Sequence, residues 1–165
     1  MSRESCNIVL TGMMGSGKTT VGNALAKQLG RTFIDTDAEI EKDTGMTISQ
    51  IFQTRGEPYF RKLESEKIAS LPSGGLVISL GGGAFENPET REILLTNSTV
   101  IYLKASPETL AQRLNNSTDR PLADKLPELL QHREPNYAKA RITIDTTDKS
   151  PDNIVKEITC KLMLK

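Results

Sequence analysis

The stretch GMMGSGKTT, Gly12 to Thr20, constrains the fold and chemistry of this chain more than any other. Gly12, four residues, Gly17, Lys18 and Thr19 follow the spacing of a phosphate-binding loop, in which glycines let backbone N–H groups turn inward around an anion. Side chains at Gly15 or Gly17 would block that approach. Lys18 supplies a point charge for β- and γ-phosphates, and the Thr19 hydroxyl can ligate Mg²⁺. The candidate nucleotide-binding segment is thus Gly12, Met13, Met14, Gly15, Ser16, Gly17, Lys18, Thr19 and Thr20. Its flanks agree. Ile8, Val9 and Leu10 form a short apolar run of buried-strand type, and Val21, Ala24, Leu25 and Leu29 recur at helical spacing. Strand, loop and helix stand in the order that aims a helix N-terminus at the phosphates.

The 165 residues amount to one domain, large enough for a single packed core. Lys+Arg and Asp+Glu are both 21, so the formal net charge is zero and no bulk field recruits nucleic acid or an anionic membrane. Anion recognition must therefore come from placed residues. No apolar run approaches the roughly 18 residues of a membrane span, and the N-terminus passes into a strand without a signal-peptide pattern. The expectation is a cytoplasmic protein. Cys6 and Cys160 have no CxxC-type partner and read as incidental thiols, and nothing suggests a large apolar seam, so a monomer is expected.

Strand-like segments recur at Ile8 to Leu10, Thr32 to Ile34, Leu76 to Leu80, Thr99 to Leu103 and Ile142 to Ile144, separated by helical patterns. That alternation predicts an α/β architecture with a parallel sheet. Thr47-Ile48-Ser49-Gln50 reads as a capping box, with Ile48, Ile51 and Phe52 forming an apolar face beyond it. Ser106-Pro107 and Ser150-Pro151 place a cap residue before a proline at the first helical position.

In open α/β sheets ligands lie beyond the carboxyl ends of the strands. After the second strand, Asp35 and Asp37 are two residues apart and on an extended backbone would point to one site. One carboxylate can hold a metal-bound water while the other accepts a proton from a hydroxyl. After the third strand, Gly81, Gly82 and Gly83 either let a ligand lie against bare backbone or form a flexible turn. Between them, Phe60, Leu63 and Ile68 mark a packed helix on which Arg61 and Glu64 sit three residues apart. Such a pair is ordinarily a surface feature; here it can also hold Arg61 as a fork for a carboxylate.

Together, GMMGSGKTT, FIDTDAEIEKDTG, RGEPYFRKLE, ISLGGGAF, DRPL and HREPNY, in that order over nearly the whole chain, resemble the shikimate kinase family. The resemblance implies a three-layer P-loop fold of nucleoside-monophosphate-kinase type, with a five-stranded parallel sheet and a mobile lid. It implies a single domain over residues 1–165, with a substrate-binding region at about 36–66 and a lid at about 113–127. The implied reaction is MgATP-dependent phosphorylation of the shikimate 3-hydroxyl, with Mg²⁺ as cofactor and ATP and shikimate as the only partners. By position, Lys18 binds the transferring phosphoryl group, Thr19 ligates Mg²⁺ and Asp35 holds a metal-bound water. Asp37 orients and deprotonates the attacking hydroxyl. Arg61 and Arg133 clamp the shikimate carboxylate, Gly81 to Gly83 line the site and Glu64 buttresses Arg61. Arg120 reaches in from the lid as the third catalytic residue beside Lys18 and Asp37, and Arg113 lies near the nucleotide.

Asn115, Asn116, Ser117, Thr118 and Asp119 precede Arg120 without an extra basic residue, which predicts a weaker lid grip on phosphates. The adenine-contacting loop is expected at residues 145–150, and His132 is read as a structural or surface residue. A gluconate kinase, a nucleotide kinase and a non-catalytic ATP-binding module compete as readings. The glycine triplet and FRKLE favour shikimate kinase, only seven Phe and Tyr are available to hold a base, and every implied catalytic position is filled. A GTP switch lacks its Asn-Lys-x-Asp motif.

Overall fold

The computed structural model describes residues 6–115 and 125–163. The expected lid falls partly, and Arg120 wholly, outside the described residues. Five parallel strands form one sheet: β1 (Asn7–Thr11), β2 (Thr32–Asp35), β3 (Leu76–Ser79), β4 (Ser98–Lys104) and β5 (Ile142–Asp145). Their spatial order is β2-β3-β1-β4-β5. The chain leaves β1 for the β2 edge, returns to β3, and only then crosses to β4 and β5. The strand order therefore reverses beside β1, and a crevice opens at the carboxyl ends of β1 and β3.

Both faces of the sheet are covered, which is why the central strands read as continuous apolar runs. β1 and β3 are buried throughout, whereas β5 alternates buried and exposed residues and β2, at the other edge, is only half covered. Alternate residues feed opposite faces. Val9, Ile78, Val100 and Tyr102 enter one core with Leu110, Leu130 and Tyr137; Ile8, Leu10, Val77, Ile101 and Leu103 enter the other with Val21, Leu25 and Ile158. The second core lies under α1 (Lys18–Leu29) and α8 (Pro151–Met163), which pack on each other. The first lies under α5 (Pro88–Asn97), α6 (Pro107–Leu114) and α7 (Leu126–Tyr137). The three-layer α/β expectation is met.

Between β2 and β3 the chain forms α2 (Thr36–Thr44), α3 (Ile48–Arg55) and α4 (Glu57–Ser70). They close on a small core of their own, Ile40, Ile51 and Phe60, backed by Ile48, Phe52 and Leu63. All three helix starts read from the sequence are present. Thr47 Oγ1 accepts from the Gln50 amide at 3.2 Å while the Thr47 amide donates to Gln50 Oε1 at 2.9 Å. Ser106 Oγ accepts from the Thr109 amide, and Ser150 Oγ from the Asn153 amide.

One local expectation fails. Asp37 does not lie on an extended backbone, because β2 ends at Asp35 and helix α2 begins at Thr36. Asp35 ends its own strand by capping that helix: Oδ1 accepts from the amides of Asp37 and Ala38 at 3.1 and 3.2 Å. The two carboxylates share one site through helix capping rather than strand alternation.

Candidate active site

The residues between β1 and α1 turn on glycines that no other residue could replace cheaply. Gly12 has φ +143°, and a Cβ there would sit 2.6 Å from the carbonyl of Leu103 on β4; Gly15 has φ +81°. The turn leaves the first amides of α1 without a side-chain cap at Gly17, the arrangement that receives an anion. Lys18 is buried at the first helical position and its Nζ donates to the carbonyls of Gly12 and Met13 at 2.8 and 2.9 Å. The ammonium is thus folded across the loop. Met13 contributes only backbone here, its side chain being 1% exposed in the core. Met14, Gly15, Gly17, Thr19 and Thr20 line the cleft, and Ser16 lies buried beneath with its Oγ unpartnered.

Thr19 Oγ1 donates to Asp35 Oδ2 at 2.8 Å. The two groups predicted to serve one metal are therefore in contact at the mouth of the loop. A hydroxyl and a single carboxylate suit a hard cation held mainly by phosphates and water. Among the described residues no group of three or more His, Cys, Asp or Glu could cage a metal by itself.

Asp37 occupies the first turn of α2, and its Oδ1 is sealed from solvent without a hydrogen-bond partner. Burial, aided by the neighbouring Asp35 charge, pushes its carboxyl up to about 6, against the pull of Lys18 and Arg61. A carboxylate raised this far toward neutrality, and short of one hydrogen bond, is suited to act as a base.

Arg61 extends from α4 and donates to Glu64 Oε2 through Nη1 at 2.9 Å, and to Glu57 Oε1 through Nε and Nη2 at 3.2 and 3.0 Å. The two partners differ in weight. The Glu57 side chain is 49% exposed and its pair is worth roughly 0.2–1 kcal/mol, whereas Glu64 is 3% exposed and its bond to Arg61 is much less screened by water. Glu64 is the group that orients the fork. Its own carboxyl is pushed up by burial to about 7, with Arg61 pulling against that.

The glycine triplet after β3 is a place of close approach, because side chains of the cleft pack directly against its backbone. A Cβ on Gly81 would lie 2.6 Å from both Asp37 Oδ1 and Glu64 Oε1; one on Gly82 would lie 3.3 Å from Arg133 Nη1; one on Gly83 would collide with the Arg61 guanidinium. Arg133, from α7, is buried. Gly81→Ala is accordingly expected to cut turnover at least a hundredfold while ADP affinity, measured by calorimetry, stays within about threefold, since the added methyl displaces Asp37 and not the phosphate loop.

Two groups of residues fall outside this convergence. Arg113 does not line the cleft: its guanidinium donates to the carbonyls of Gly15 and Thr146 at 3.2 and 3.1 Å, bracing the loop from the side where residues 145–150 run. His132 is exposed, 3.5 Å from Glu86. Sequence reasoning missed Thr36, whose buried hydroxyl donates to the Ser79 carbonyl and accepts from the Gly81 amide, both at 3.2 Å, tying the aspartate segment to the triplet. It also missed Glu57 and Tyr137. A capping aspartate followed by threonine is a local signal for neither tie; the partners lie 43 and 45 residues away.

A cleft of about 470 Å³ thus holds a phosphate loop on one wall and, on the other, a buried carboxylate flanked by two guanidinium groups. Such a site on such a sheet defines a P-loop kinase that acts on a small anionic acceptor. Comparison with known proteins narrows the class. The family model described as shikimate kinase matches residues 14–163. Shikimate kinase from Thiobacillus denitrificans is 46% identical over 96% of this chain and 91% of its own, and that from Chlorobium chlorochromatii 42% over 98% and 93%. The solved structure of shikimate kinase from Acinetobacter baumannii in complex with shikimate superposes with a TM-score of 0.93 at 39% identity, covering 98% of this chain and 94% of that one. The chain belongs to the shikimate kinase family.

Proposed function

We propose that this cleft transfers the γ-phosphoryl group of MgATP to the 3-hydroxyl of shikimate, giving shikimate 3-phosphate and ADP. Family membership makes the chain an ATP-dependent kinase of shikimate; the assignment of each step to a residue rests on the geometry. The observation that carries it is the convergence of Asp37, Arg61 and Arg133 on the glycine triplet across from the phosphate loop.

Phosphoryl transfer asks for positioning and charge neutralisation rather than a covalent nucleophile. The phosphate loop amides and Lys18 hold the β- and γ-phosphates. Mg²⁺ neutralises charge on the phosphates when bound, and Thr19 with Asp35, through water, are the residues placed to receive it. Arg61 and Arg133 take the carboxylate of the acceptor, each as a planar fork. Asp37, which lines the cleft, then meets the reacting hydroxyl and accepts its proton on its carboxylate. Arg120, outside the described residues, is assigned to the lid by resemblance alone; the single domain rests also on chain length, and the monomer on the lack of an apolar seam in the sequence.

Two experiments bear on this reading. Phosphorus–proton correlation spectroscopy on the product identifies the hydroxyl that carries the phosphate; coupling to any proton other than that at carbon 3 contradicts the proposed regiochemistry. Arg61→Lys keeps the charge but loses the fork and the bond to Glu64, so KM for shikimate is expected to rise about tenfold or more with KM for ATP little changed. An unchanged KM for shikimate removes Arg61 from the clamp.

A further inference from the structure

The two halves of the site meet at a residue that does not itself line the cleft. Tyr137, the last residue of α7, is fully buried with its ring stacked on Tyr102 of β4 at 5.1 Å. Its hydroxyl donates to the Gly82 carbonyl, in the middle of the triplet, and lies 3.6 Å from Met13 Sδ, near the start of the phosphate loop. The Arg133 guanidinium acts on the same phenol oxygen. Burial holds the phenol up to about 12, so it is a donor at any working pH. Gly82 itself faces the phosphate loop, since a Cβ added there would lie 3.6 Å from the Met14 amide nitrogen and 3.7 Å from the Gly12 carbonyl. One oxygen therefore joins the loop that holds the phosphoryl donor, the loop that lines the acceptor and one arm of the carboxylate clamp.

We infer that Tyr137 is a positioning residue, whose hydroxyl sets the separation between the phosphate loop and the glycine triplet and so the distance between the γ-phosphorus and the attacking hydroxyl. A core tyrosine with no such role would need only a satisfied hydroxyl, and any backbone carbonyl would serve. Here the carbonyl belongs to the one glycine that faces both Arg133 and the phosphate loop. Transfer in line is steep in distance, and displacement of the reacting atoms by about 1 Å costs on the order of a hundredfold in rate. The loss of one buried hydrogen bond leaves the Gly82 carbonyl unpaired, and the triplet shifts to find another donor.

The inference rests on the reaction proposed above and is tested with Tyr137→Phe, which keeps the ring and its stacking. Steady-state kcat and both KM values are measured beside the thermal midpoint, with Tyr102→Phe as a comparison that removes a hydroxyl from the same stack. Expected is a fall in kcat of at least tenfold for Tyr137→Phe, with KM for ATP and for shikimate each within about threefold, and a kcat within twofold of wild type for Tyr102→Phe. A lower thermal midpoint with wild-type kcat makes Tyr137 a packing residue and overturns the inference. So does an equal kcat loss in Tyr102→Phe. If Tyr137→Phe does not fold, para-aminophenylalanine at position 137 keeps a donor of the same reach; near wild-type kcat there supports the joint, and a folded protein with a tenfold loss contradicts it. A wild type inert toward shikimate contradicts the reading of the reaction, whereas a variant equal to an active wild type contradicts only the joint.

Discussion

Asp37→Asn is expected to lower kcat by about two to four orders of magnitude while ADP affinity, measured by calorimetry, stays within about threefold. The amide preserves size and position in the first turn of α2 but cannot accept the proton of the reacting hydroxyl. Thr19 keeps its bond, because Asp35 and not Asp37 accepts from it. The wild-type pH profile should carry the same signature. The base works only when ionised, and burial with the Asp35 charge raises its pKa to about 6, so kcat/KM for shikimate should fall as pH drops through that region. Glu64, raised to about 7 and facing Gly81 beside Asp37, couples to it, and the observed midpoint belongs to the pair. A profile flat from pH 8 to pH 5, or full activity in the asparagine variant, removes Asp37 from proton transfer.

Lys18→Ala should be nearly as damaging through a different quantity. The ammonium is the cation built into the phosphate loop itself, held across the turn by the Gly12 and Met13 carbonyls. Its loss removes a fixed charge from the transferring group in a largely buried setting, where one such donor is worth about a hundred- to a thousandfold in kcat. It also frees both carbonyls to face the phosphates, so ATP binding weakens together with turnover. Asp37→Asn should thus spare the nucleotide and Lys18→Ala should not. Equal effects of the two variants on ADP affinity would contradict the division of the cleft into donor and acceptor walls.

How much of this was legible in the sequence differs from element to element. The phosphate loop was readable in full because its chemistry is local: glycines, lysine and threonine act within nine residues of one another. The helix starts at Thr47, Ser106 and Ser150 were readable for the same reason, a cap and the amide that donates to it being three residues apart. The Arg61–Glu64 pair was readable as a spacing, but its weight was not, because only the packing of α4 over the triplet buries Glu64. Asp35 and Asp37 were recognised as one site for an incorrect reason. An aspartate that both ends a strand and caps the next helix cannot be told by spacing from one on an extended run. Thr36 and Tyr137 gave no signal at all. Their partners, Ser79, Gly81, Met13 and Gly82, lie 43 to 124 residues away, and a hydroxyl does not announce in the sequence which distant group it will meet.

The triplet shows the complementary case. From the sequence it was balanced between ligand surface and flexible turn. In the structure its three missing side chains would meet Asp37, Glu64, Arg133 and Arg61. Glycine is placed there by close approach, and close approach is visible only once the opposing helices are in position.

The most direct test of the account is ADP release by the purified chain with MgATP, in a coupled assay with shikimate, gluconate and a nucleoside monophosphate supplied separately at equal concentration. The account predicts release stimulated by shikimate and by neither of the others; stimulation by gluconate or the nucleotide in place of shikimate, or no stimulation by any of the three, would contradict it.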